Sequence, residues 1–108
     1  MTSNDALTTA VLRLCGHVAP WTPPRWAAAT ASGRTRAEEA YDLVQRMAEL
    51  AADAEGQPRR TVPRLTSEVT LADQLRVVAG DLVAAGPPAE VLAQAAALVD
   101  DTHRRLAR

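Results

Sequence analysis

The stretch Thr35-Arg36-Ala37-Glu38-Glu39-Ala40-Tyr41-Asp42-Leu43-Val44-Gln45-Arg46-Met47-Ala48-Glu49-Leu50-Ala51-Ala52-Asp53-Ala54-Glu55-Gly56 decides the fold. It opens on a capping box, in which the Thr35 hydroxyl and the Glu38 carboxylate each satisfy an unpaired backbone N–H. Apolar residues then recur at helical spacing: Ala40, Leu43, Val44, Met47, Leu50, Ala51 and Ala54. Gly56 and Pro58 stop the helix. An amphipathic helix of this length must cover its apolar stripe, so the rest of the chain has to supply partners.

The same period continues on both sides, and strand-like alternation is absent. Upstream, a first helix runs from about Asp5 to about His17, with Asn4 as its cap and Leu7, Ala10, Val11, Leu14 and Val18 as its stripe. Pro20 ends it. Downstream of Gly56, the segment Gln57 to Thr66 carries Pro58, Arg59, Arg60, Pro63 and Arg64 and reads as a basic loop. A third helix starts near Ser67 or Thr70, Ser67 being favoured for a loose first turn, and carries Leu71, Leu75, Val78, Ala79 and Leu82. Gly80 lies inside it and Gly86 ends it. Pro88 suits the first turn of a fourth helix, with Val91, Leu92, Ala95, Leu98, Val99, Thr102 and Leu106 on its stripe. Arg104, Arg105 and Arg108 complement its C-terminal dipole.

The expected fold is all-α: a four-helix bundle with a Pro/Trp-rich connector between the first two main helices, as one domain over residues 1–108. The short link around Gly86-Pro87-Pro88 predicts an antiparallel hairpin of the third and fourth helices. The core must be aliphatic and alanine-rich, because the chain has no Ile and no Phe. The basic residues are all arginine, which with the alanine excess reads as the codon bias of a GC-rich bacterial genome.

A net charge of −1 and a pI near 6.1 argue against a nucleic-acid partner, which calls for a basic face. A single cysteine, Cys15, excludes an internal disulfide and fits a reducing compartment. The start lacks a signal-peptide pattern, and no run approaches the roughly 18–20 apolar residues of a membrane span. The expected location is the cytoplasm.

Chemistry is sparse. Cys15 and His17 stand two apart on different sides of a helix, and His103 is far away in sequence, so no metal set is expected. Asp100 precedes His103 by three residues on one face; the pair is the best candidate for proton or phosphoryl transfer but reads as a surface pair. The glycines are scattered, with no phosphate loop. No catalytic constellation and no cofactor are expected.

What remains is the connector Pro20-Trp21-Thr22-Pro23-Pro24-Arg25-Trp26, which holds both tryptophans. Either the rings roof the core, or they present a rigid contact surface. Trp21, Arg25 and Trp26, with Arg59 and Arg60 of the basic loop, are the candidate contact residues. Ala89, Ala93, Ala96 and Ala97 widen the apolar surface of the fourth helix, which suggests a second copy of the chain as partner. The expected function is a non-enzymatic interaction or regulatory module working through contacts with another protein or with itself. The alternative is a binder of small apolar ligands, with a pocket roofed by Trp21 and Trp26.

Overall fold

The computed structural model describes residues 2–65, 67–68 and 70–107. Among them the helices are α1 (Ser3–Val18), α2 (Pro23–Ala27), α3 (Arg36–Glu55), α4 (Thr70–Ala84) and α5 (Ala89–Leu106). No strand forms among the described residues, so the fold is all-α. The expected last-turn position of Arg108 and the loop end at Thr66 lie outside the described residues.

α3 starts where its capping box places it. Glu38 N donates to Thr35 Oγ1 at 3.0 Å, and Thr35 N donates to Glu38 Oε1 at 2.9 Å. The Thr35 backbone N–H, and then the Thr35 hydroxyl, hold the Glu38 carboxyl below the usual carboxylate range. Gly56 closes the helix at φ 69°, a left-handed conformation that glycine adopts without a Cβ penalty. α1 begins two residues earlier than the sequence suggests. Thr2 caps it and Asp5 answers, at 3.2 and 3.3 Å, so Asn4 sits inside the helix instead of capping it.

Contacts between named residues set the helix directions. His17 meets His103, so α1 and α5 end together. Arg36 and Glu39 at the start of α3 meet Leu106 and Arg105 at the end of α5, so these two run oppositely. Cys15 reaches the carbonyl of Ala72, which sets the end of α1 against the start of α4. Leu43 and Val44 share a small cavity with Leu71 and Leu75, so α3 and α4 run the same way. The chain therefore goes up along α1, down along both α3 and α4, and up along α5.

Two parallel neighbours in sequence need a long return, and residues 57–69 provide it. The described part of this strap runs back along α3. Gln45 Nε2 donates to the Arg60 carbonyl at 3.1 Å, and Val62 N donates to Gln45 Oε1 at 2.7 Å. The Tyr41 hydroxyl donates to the Val62 carbonyl, and the Arg64 guanidinium lies 5.1 Å from the Tyr41 ring centroid.

The hairpin expected of the last two helices does not form. α5 packs on α1 and α3, and α4 packs on α3 and α1, so α4 and α5 sit on a diagonal despite their short link. The reason lies in the stripes: Leu92, Ala95, Val99 and Leu106 of α5 are buried, and only α1 and α3 cover them. The core between the four long helices is closed by Leu7, Val44, Met47, Leu75, Leu82, Val99 and Leu106, all essentially without exposure.

Gly80 is exposed within α4, and a Cβ built there meets nothing within 4 Å. Gly80→Ala should therefore raise stability by about 1 kcal/mol, the helix-propensity difference. Urea denaturation checks this, and a loss of stability would show that the groove beside Gly80 is narrower than it stands here.

Candidate functional site

The connector tryptophans belong to the core. Pro23 and Pro24 occupy the first positions of α2 and bring Trp26 inward. Trp26 is 3% exposed and Trp21 is 8% exposed. The rings meet edge to face, with centroids 4.9 Å apart. Of the two arrangements the sequence leaves open, this is the roof. Beneath it there is no room for a ligand: the void shared by Trp26, Leu14, Leu43 and Leu75 amounts to about 10 Å³, roughly the space of one water. Arg25 lies outside, its guanidinium 4.9 Å from the Trp21 centroid, and that of Arg36 lies at 5.8 Å. Cation–π contacts thus cover the outer face of the indole.

The aromatic row continues through two histidines. His17 stands edge-on to Trp21 at 5.5 Å and to His103 at 5.0 Å. Burial, with His17 adding to it, holds His103 below the ordinary imidazole range; Asp100 opposes this and Arg13 adds a little. Asp100 acts on His103 through its charge, with no hydrogen bond between them among the described contacts. The Cys15 thiol is buried, donates to the Ala72 carbonyl at 3.7 Å, and is pushed up by that burial, which makes it a poor nucleophile. Among the described residues no group of His, Cys, Asp and Glu is arranged to hold a metal ion. No helix of the described residues is long and apolar enough to cross a membrane.

A second polar cluster ties the start of α3 to the end of α5. Glu39 is buried, and its carboxylate accepts from Ser32 Oγ at 2.8 Å and from Arg105 Nε at 3.2 Å. Arg105 also donates to Thr102 Oγ1 at 3.3 Å. Ser32 is in turn held by Thr30, 2.8 Å away, and the turn between them and α3 passes through Gly33 at φ 86°. The cluster ties Ser32, Glu39, Thr102 and Arg105 to one another, with Arg105 partly open to water.

The candidate arginines of the basic loop separate. Arg59 is engaged with Asp53 through two hydrogen bonds of 3.0 and 2.6 Å and lies 3.9 Å from Glu49. Arg60 projects from the strap onto the rim of an open cleft of about 600 Å³, between Ala51 and Ala52 of α3 and Val78 and Asp81 of α4. The connector residues and the loop arginines are therefore not one site.

The apolar surface left over lies along α4. Among the described residues the exposed large hydrophobics are Leu12 (59%), Leu65 (49%) and Val77 (61%). Val77 stands on the outer ridge of α4. On one side is a groove of about 360 Å³ lined by Leu7, Val11, Leu12, Gly80 and Val83. On the other is a recess of about 400 Å³ lined by Val62, Leu65, Gln74, Val77 and Val78. Gln74 donates to the Pro63 carbonyl at 3.1 Å, yet its Oε1 is buried without a partner. By contrast, the outer face of α5 exposes Ala89, Ala93 and Ala97 but no large aliphatic.

The sequence carried a signal for this face that the stripes alone pass over. Leu12 and Val77 are apolar residues that fall off the apolar stripes of their helices. The meeting of His17 and His103 had no local signal, because it depends on α1 and α5 ending at the same end of the bundle. No protein-family model, curated protein or solved structure matches this chain.

Proposed function

We propose that the chain is a protein–protein interaction module whose contact face is the outer ridge of α4 with the grooves on either side. The observation that carries this is the clustering of Leu12, Leu65 and Val77 around one helix, each about half exposed or more. Scattered single apolar residues are ordinary on a protein surface; aliphatics gathered beside two apolar grooves are a docking pattern. The grooves suit the apolar side of a partner helix. Arg60 adds a cation at the edge of the neighbouring cleft. The partner is another protein or a second copy of the chain.

Val77→Asp tests the reading. Its side chain points to water, so the fold should change by no more than about 0.5 kcal/mol. In an extract of the source cells the unmodified 11.5 kDa chain should run in gel filtration as a larger species, and the variant at its own mass. Sedimentation of the purified chain over a concentration series then tells a second copy from a different partner. If both forms run at the mass of the free chain, the interaction reading fails.

A further inference from the structure

The chain has two histidines, and the fold puts them in contact although they are far apart in sequence. His17 lies in the last turn of α1 and His103 in the last turn of α5, with ring centroids 5.0 Å apart and planes at 80°. We propose that this contact is a pH-responsive latch on the α1–α5 seam, closed when both rings are neutral and released when both are protonated.

The surroundings set the sign. On α1 the facing groups are His17 itself and Arg13; on α5 they are Asp100 and Arg104, the latter paired with Asp101. From the connector comes Trp21, edge-on to His17, with Arg25 against its ring. From α3 comes Arg36, which also lies against Trp21 and donates to the Leu106 carbonyl at 3.2 Å. Apart from Asp100, then, the charges around the pair are cationic or already paired. Protonated together, the two rings set like charges with centroids 5.0 Å apart, next to the guanidinium of Arg13.

The folded state disfavours the charged form of His103, so its folded pKa lies below its unfolded value. Above the unfolded pKa both states are neutral and nothing is lost. As the pH falls through the unfolded pKa the unfolded chain takes up protons first, and stability drops until the folded pKa is passed. The contact lies on the seam that α1 shares with α5, beside buried Val18 and Trp21. Its release frees the end of α1 and the connector behind it while α3 and α4 stay packed.

Thermal melts at about pH 7 and about pH 5 test this, because no other side chain of ordinary pKa changes charge in that window. The unmodified chain should lose thermal stability on going to the lower pH. His17→Gln and His103→Gln should each shrink that loss, and the double variant should remove it. A midpoint unchanged between the two conditions overturns the proposal, as does a loss that the double variant retains. The imidazole proton resonances of the unmodified chain give a readout that needs no variant. The His103 midpoint is expected below that of a histidine in the urea-unfolded chain, and a midpoint at or above that value overturns the latch.

Discussion

Trp26→Ala will cost about 3–5 kcal/mol, the usual loss for removing a large aromatic side chain from a packed interior. The ring is almost wholly buried and touches Trp21, and the space around it is already filled. Its neighbours there, Leu14, Val18, Leu43, Leu71 and Leu75, come from α1, α3 and α4, so no single element can move in to close the hole. A domain of this size has roughly 5–15 kcal/mol in total. The variant will therefore melt far below the unmodified chain or fail to fold. Urea denaturation of both proteins measures the difference. A loss under about 1 kcal/mol would mean that the connector sits on the surface and that the roof is not part of the core.

Arg105→Met should cost about 2–3 kcal/mol. It leaves the Glu39 carboxylate buried with the Ser32 hydroxyl as its remaining donor among the described side chains. Removing one partner of a buried pair typically costs 3–5 kcal/mol, and the estimate is reduced because Arg105 is 43% exposed and water can replace part of its bond. The double variant Glu39→Leu with Arg105→Met should recover most of the loss, since replacing both partners by apolar groups is often close to neutral. A double variant no more stable than Arg105→Met would show that the pair does not act through charge burial.

These effects mark which parts of the molecule were legible in the sequence. The capping box at Thr35, the stop at Gly56 and the stripe from Ala40 to Ala51 are local, and all appear as read. The directions of the helices were not legible. The strap between α3 and α4 looks in sequence like any loop with prolines; its hydrogen bonds to Gln45 and Tyr41 show it as a return run that makes α3 and α4 parallel. Once α3 and α4 run together, α5 is left to cover α1 and α3, and the expected hairpin is lost. Glu39 illustrates the same limit. It lies beside the capping Glu38 and looks like one more first-turn acid, but α5 brings Arg105 to it across the bundle.

The candidate site was legible in part. Trp21 and Trp26 drew notice for their bulk, and bulk in an alanine-rich chain without Phe or Ile was needed in the core. Arg59 and Arg60 look alike in sequence, yet only Arg59 reaches the acids at the end of α3. The α4 face was hidden because its parts, Leu12, Leu65 and Val77, lie in three separate segments and become neighbours only when α1, α4 and the strap pack.

The most direct test of the α4 face is site-specific photo-crosslinking in the source cells. A photoreactive residue replaces Val77 in one version of the chain and Ala93, on the outer face of α5, in another. The account predicts a discrete product larger than the chain from position 77 and none from position 93. A product from position 93 alone, or from neither position, contradicts it.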